Sequence, residues 1–259
     1  MKTNKYKILV LSDMENTLDS TLKSTISFAK MIDANIEFFY VKQPTEVVGS
    51  DSQLSAMRTM NKEFVVINNR LEALADSISK TNGVDVSYNH TIGNVKTEIK
   101  NRLTVSKPDM VIIGKRKPKA LNFIGDRITD FIIKNYDGSV VVASEINSVE
   151  PDKEVALGFF NNNTDYTDLK FVNELLSHSK KPVTAFKIHS DLNNSIDNVA
   201  KTVEYTFDDN DKFMDNLKMY LKRSGVNLLC LDRNETTEAK TNIIDLLDKI
   251  DVSLMVTSK

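Results

Sequence analysis

The sequence predicts an α/β protein of two Rossmann-like units, each built on a mainly parallel sheet, with the second unit truncated. Three observations predict it. Short, continuously apolar runs alternate along the chain with stretches of helical spacing. The pattern restarts after a polar segment, residues 144–153, that contains Pro151. The restarted copy keeps the strands of the first at fixed offsets but omits a piece of its middle.

Residues 7–12 (KILVLS) form a short apolar run, the pattern of a strand buried on both faces. Leu18, Leu22, Ile26, Ala29 and Ile32 then recur at helical spacing, and Asn35 is expected to stop that helix. Residues 36–41 (IEFFYV) give a second strand, and the polar stretch 44–55 reads as a loop. Phe64, Ile67, Leu71, Leu74 and Ile78 mark a second helix, closed by Asn82 and Gly83. Residues 84–91 alternate like a strand and break at Gly93. Val95, Ile99 and Leu103 predict a helix that must end before Pro108. Residues 110–113 are a buried strand ending in Gly114, followed by a basic loop and a helix with Ile124, Ile128, Phe131 and Ile132 on one side. Asp137 and Gly138 turn the chain into the apolar strand 139–143.

Beyond the linker, residues 155–160 match the first strand and residues 183–188 the second, both offset by 147 (Val155 against Ile8, Val183 against Ile36). Nearer the C-terminus the offsets fall to 118 (Leu229 against Val111) and 114 (Ser253 against Ser139). The difference removes roughly 29 residues from the second copy, and the loop and helix at 44–80 are the expected omission. Units are therefore expected at 1–146 and 153–259, packed as an internal pseudo-dimer, because a duplicated unit can copy the symmetric contact of a homodimer.

A chain of 259 residues with 41% hydrophobic and 27% charged residues has material for two soluble cores. The net charge of −2 and pI near 6.0 give no field that would favour nucleic acid or anionic lipid. No stretch approaches the ~20 apolar residues of a membrane span, and residues 8–11 are too short a run for a signal peptide, so a cytoplasmic protein is expected. The single thiol, Cys230, lies within an apolar run and reads as a small buried hydrophobe. His90, His178 and His189 are scattered, so no metal site is expected. Asp208, Asp209 and Asp211 read as an acidic helix start; they lack the glycine and terminal Glu of a calcium loop. Asn162–Thr164 and Asn234–Thr236 have the glycosylation spacing, which carries no meaning without secretion. No Ser-His-Asp set, carboxylate pair or P-loop lysine is visible, and no catalytic residue is assigned.

The opening strand leading into Asp13 (ILVLSD), the second strand ending at Val41, the segment 107–114 (KPDMVIIG), the following 114–126 (GKRKPKALNFIGD) and the closing 138–144 (GSVVVAS) together resemble the universal stress protein family. The likeness covers residues 5–145, with a weaker copy after 153. In that family the acidic residue and the end of the second strand contact adenine, roles that would fall here on Asp13 and Val41. A loop of the form G-x-x-G, nine residues, G-[ST] cradles phosphate there, which would involve Gly114, Lys117, Gly125 and Asp126. Glycines admit backbone N–H groups close to phosphate oxygens, and a helix N-terminus adds favourable partial charge.

This sequence departs from that loop. Lys117 stands in place of the second glycine, and seven residues rather than nine separate it from Gly125. Asp126 replaces the hydroxyl residue; when ionised it donates no hydrogen bond and repels a nearby phosphate by roughly 1–4 kcal/mol. Lys115, Arg116, Lys117 and Lys119 could offset that repulsion as anion ligands, or form a solvated basic run. Asp126 reads equally as a cap of the helix that follows, and Asp13 as a plain turn residue. The resemblance thus implies a regulatory module that binds ATP or a related adenine nucleotide weakly in the first unit. The alternatives are a ligand-free scaffold that dimerises and binds proteins, and a weak ATP hydrolase, for which no general base is evident. A response-regulator receiver would need an aspartate where Gly114 stands. By the 147-residue offset Phe160 is expected at the place of Asp13, and Asp232 at the place of Gly114, so no nucleotide is expected in the second unit.

Overall fold

The computed structural model describes residues 4–12, 14, 18–47, 53–115, 128–160, 169–179, 182–188, 202–208, 210, 212–233 and 243–257. In the first half β1 (Tyr6–Leu11) is followed by α1 (Leu18–Ile32), β2 (Ala34–Lys42), a 3-10 turn at Pro44–Glu46 and α2 (Gln53–Asn82). Then come β3 (Val86–Ile92), α3 (Val95–Ser106), β4 (Met110–Gly114), α4 (Ile128–Asn135) and β5 (Ser139–Ala143). The second half runs β6 (Leu157–Phe160), α5 (Val172–Ser177), β7 (Val183–Ile188), β8 (Thr202–Phe207), α6 (Phe213–Ser224), β9 (Leu228–Asp232), α7 (Ile243–Lys249) and β10 (Ser253–Thr257). None of these helices is long and apolar enough to cross a membrane.

The ten strands form one sheet in the order β3-β2-β1-β4-β5-β10-β9-β6-β7-β8. Each half is parallel, as the buried apolar runs predict, and the halves meet where β5 and β10 pair antiparallel. This corrects the expectation of two packed sheets: the pseudo-dimer is made edge to edge, in one continuous mixed sheet. The reason is local. Val140, Val141 and Val142 are buried on both faces, and an unpaired edge of that composition would template aggregation. Val141 faces Met255, its own counterpart, so the pseudo-two-fold axis passes between them. Hydrophobic clusters line each face of the sheet, and both run across the junction into each half.

The strand register also corrects one offset. Ile8 lies opposite Met110, and Leu157 lies opposite Leu228, the counterpart of Met110, so β6 follows β1 by 149 residues rather than 147. Paired side chains confirm the new equivalence. Asp109 Oδ2 accepts from the backbone N–H of Lys7 at 3.0 Å, and Asn227 Oδ1 accepts from that of Ala156 at 2.9 Å. Caps match too: Lys107 (φ 43°) and Gly225 (φ 68°) end α3 and α6 in the left-handed conformation at equivalent places. The stop of α1 is Asp33 (φ 54°) rather than Asn35, which already belongs to β2.

The omission in the second half falls where the offsets place it: only residues 189–201 separate β7 from β8, too few for a helix of the 30 residues of α2. Strand β8 itself was not among the sequence-based expectations, although TVEYTF carries a strand's alternation. On the face that α2 covers in the first half, Tyr40, Val86, Tyr88 and His90 are replaced in the second by Lys187, Thr202, Glu204 and Thr206. Lys187 and Glu204 form an ion pair at 3.0 Å there. The helix was lost together with the apolar surface that required it.

Candidate functional site

In an open parallel sheet a crevice opens where consecutive connections leave one strand in opposite directions. In the first half β1 passes through α1 to β2 on one side, and the chain later returns through α3 to β4 on the other. The crevice therefore lies at the C-terminal ends of β1 and β4. Leu11 is level with Phe39 of β2 and Ile113 of β4. Gly114 stands one residue beyond that level and Val41 two, on strands separated by β1, hence about 10 Å apart. Val41 is half-buried, packed against the cluster beneath α3 and α4, and paired with Thr91. Gly114 is half-buried and paired with Ala143. These two of the six sequence-predicted residues thus share one end of the sheet. Asp13, Lys117, Gly125 and Asp126 lie outside the described residues.

Neighbouring groups fix the rim. Beyond β1 the chain turns left-handed at Met14 (φ 61°), whose N–H donates to Ser12 Oγ at 3.1 Å. Arg70 of α2 donates to the Met14 carbonyl at 2.7 Å, tying this turn to the helix. Beside Val41, Lys42 pairs with Glu46 at 3.1 Å, and that carboxylate raises the Lys42 pKa. The Gly93 N–H donates to the Lys42 carbonyl at 3.0 Å, and Asn94 Oδ1 accepts from Thr97 N–H at 3.1 Å to cap α3. Arg70 was missed by sequence reasoning, because nothing local marks a helix cation as the partner of a distant turn.

Lys115, one of the expected anion ligands, is engaged elsewhere. Its Nζ donates to the Ile250 carbonyl of the second half at 2.5 Å. Burial draws its pKa below the ordinary lysine value, partly opposed by Asp251 and Asp248. Its counterpart Arg233 does the same in reverse, donating through its guanidinium to the carbonyls of Ile133 and, at 2.8 Å, Gly138 in the first half. The backbone N–H groups of Lys115 and Arg233 donate to Ala143 and Thr257, each at 2.8 Å. One cation from each half thereby crosses the junction, directly after the strand that opens the crevice.

The second half has the same topology at β6 and β9 but different chemistry. Asp232 takes the place of Gly114, 3% exposed, and Ile188 that of Val41. Phe160 does not take the place of Asp13: with the corrected register it matches Leu11 and is core. The counterpart of Asp13 is then Asn162, outside the described residues.

Other candidates resolve into structure. Glu37 is buried and paired with Lys7 at 2.7 Å, with Arg102 and with Ser106 at 2.6 Å. Ser106 ends α3, which places this cluster toward the opposite end of the strands. Cys230 is fully buried, and burial pushes its thiol far above its usual pKa. Among the described residues no group of three His, Cys, Asp or Glu could hold a metal ion.

No protein-family model matches the sequence, and no curated protein matches it significantly. Solved structures do. A universal stress protein from Archaeoglobus fulgidus DSM 4304 is 9% identical, with a TM-score of 0.69 over 97% of this chain and 98% of that one. A functionally unknown protein from Pseudomonas aeruginosa PAO1 is 9% identical, with a TM-score of 0.59 over 98% of this chain and 92% of that one. A putative universal stress protein from Pseudomonas aeruginosa UCBPP-PA14 is 10% identical, with a TM-score of 0.56 over 98% and 93%. At these identities the likeness is one of fold, and it spans both halves: the chain has the Rossmann-like α/β fold of universal stress proteins.

Proposed function

We propose that the chain is a cytoplasmic regulatory module of the universal stress protein family. It takes one adenine nucleotide, ATP or a close relative, weakly at the β1–β4 crevice of the first half, and none in the second. The carrying observation is the difference between two crevices of the same topology. One strand end is Gly114, which lets backbone N–H groups near an anion; the other is the buried carboxylate Asp232, which repels one. Only the first can accept phosphate. Val41 on the same rim supplies an apolar surface for a base. We assign binding, not hydrolysis, and the signal would pass to protein partners through altered surface contacts.

A second reading is favoured by Lys115. The Lys115 ammonium is turned across the junction to the Ile250 carbonyl, and a chain that uses this cation to join its halves could be a ligand-free scaffold. Mass spectrometry of the supernatant from freshly purified, denatured protein separates the two: the binding reading expects adenine nucleotide at no more than one per chain. Calorimetry with ATP should show weak binding, tightened by the double substitution Lys117→Gly and Asp126→Ser. More than one nucleotide per chain, or tighter binding by the unsubstituted protein, would overturn the proposal; no nucleotide by either method leaves the scaffold.

A further inference from the structure

A nucleotide in the first crevice has to cross three strand ends. Val41 stands near the end of β2, Gly114 ends β4, and β1 runs between those two strands. A base on Val41 and a phosphate at Gly114 therefore leave the sugar over the end of β1. The chain there turns between Ser12 and Met14, and this turn is the surface a ribose meets.

Met14 is held in three ways. Its side chain is 6% exposed and belongs to the core cluster that also takes in Ile67 and Leu71 of α2. Its N–H donates to Ser12 Oγ at 3.1 Å, and its carbonyl accepts from Arg70 Nη2 at 2.7 Å. With φ at 61° Met14 occupies the left-handed region, which a residue with a Cβ keeps only where its surroundings impose it. The serine is part of the same turn; Arg70 reaches it from an element 56 residues further on. That element is firm at this point, because Ile67 and Leu71 on either side of Arg70 are buried, while Arg70 itself is exposed. The 13 residues between β7 and β8 leave no room for such a helix, so the second half has nothing in the place of Arg70.

We propose that Arg70 is a positioning residue of the nucleotide site. By holding the Met14 carbonyl it fixes the turn over which the ribose passes, and α2 thereby preorganises the crevice of the first half alone. The inference rests on the nucleotide reading given above. Arg70 acts through the backbone of the turn, so its contribution falls on the nucleoside and not on the phosphates.

Arg70→Gln removes the guanidinium and keeps a good helix former. Its melting temperature should match that of the natural protein, while its affinity for ATP, followed by NMR titration, falls about tenfold. Adenosine should lose affinity by the same factor. Arg58→Gln removes the same charge from an exposed site about 18 Å back along α2 and should change neither affinity. With no nucleotide present, hydrogen exchange at the Met14 amide should become about tenfold faster in Arg70→Gln, as the turn loses its tie to the helix. Equal ATP affinities for the natural protein and Arg70→Gln overturn the inference, and so does unchanged exchange. A loss confined to ATP, with adenosine unaffected, overturns it too, since the guanidinium would then be acting on phosphate. A natural protein that binds neither ligand refutes the underlying nucleotide reading, and this role with it, a result distinct from any failure of Arg70→Gln.

Discussion

His90 is buried between β3 and α2, and its Nε2 must be the donor to Phe64, since a carbonyl only accepts. Burial lowers its pKa from the ordinary 6.5, the hydrogen bond to Phe64 opposing the shift. A histidine whose folded pKa is depressed adds nothing to the pH dependence well above 6.5. As pH falls below that value the unfolded chain binds the proton first, and stability is lost down toward the folded pKa. Urea unfolding at pH 7.5 and pH 5 should therefore show a larger loss in the natural protein than in His90→Gln; equal losses would show that His90 titrates as in the unfolded chain. Single residues were also where the sequence misled. Gly114 and Asp232 were legible as counterparts because the buried β4 and β9 runs align without a gap. Phe160 was not, because the β1–β2 connection is two residues longer than the β6–β7 connection, and apolar strands align equally well one pleat period apart. Register is fixed by partners such as Asp109 and Asn227, which lie about a hundred residues away from β1 in the first half and about seventy from β6 in the second.

At the level of elements, the strands and helices of the first half could be read from period, save that α2 opens at Gln53, inside the stretch 44–55 expected as a loop, and even the helix omitted from the second half showed as a change of offset. What period does not show is compensation. The second half tolerates the loss of α2 because Lys187, Thr202, Glu204 and Thr206 made the corresponding face polar. The first half, with Tyr40, Val86, Tyr88 and His90 there, does not share that tolerance. Replacing residues 48–83 with a short glycine-serine linker should leave the protein aggregated, since each large apolar side chain returned to water costs about 1.5–3 kcal/mol. Adding Tyr40→Lys, Val86→Thr, Tyr88→Glu and His90→Thr to that deletion should restore a soluble, cooperatively folding chain. Solubility and thermal unfolding of the two variants decide it. If the four substitutions fail to rescue, the polar face of β7 and β8 is not an adaptation to the lost helix.

For the whole molecule, the junction is the feature the sequence left open. Val140–Val142 and Leu254–Val256 announce strands buried on both faces, but a buried run says only that something covers it. The edge-to-edge pairing depends on contacts between residues more than a hundred positions apart, including the hydroxyl pair Ser139 and Thr257 at 2.6 Å. Around that pairing, Lys115 and Arg233 each reach backbone carbonyls of the opposite half, and Lys5–Glu174 and Lys170–Asp109 pair on the surface at 3.2 Å. The surface pairs contribute little, being exposed and screened. The buried strands and crossing cations carry the join, and removing one half strands the other. A chain cut to residues 1–148 would expose β5 as a flat apolar edge and leave the Ile133 and Gly138 carbonyls without Arg233. Its cheapest repair is the contact it has lost: a second copy of the fragment, paired through β5 with Val141 on the axis, as Val141 now meets Met255. Sedimentation of the fragment should give a dimer or larger species at concentrations where the full chain is monomeric. A soluble monomer would mean that the second half is not needed to cover the first.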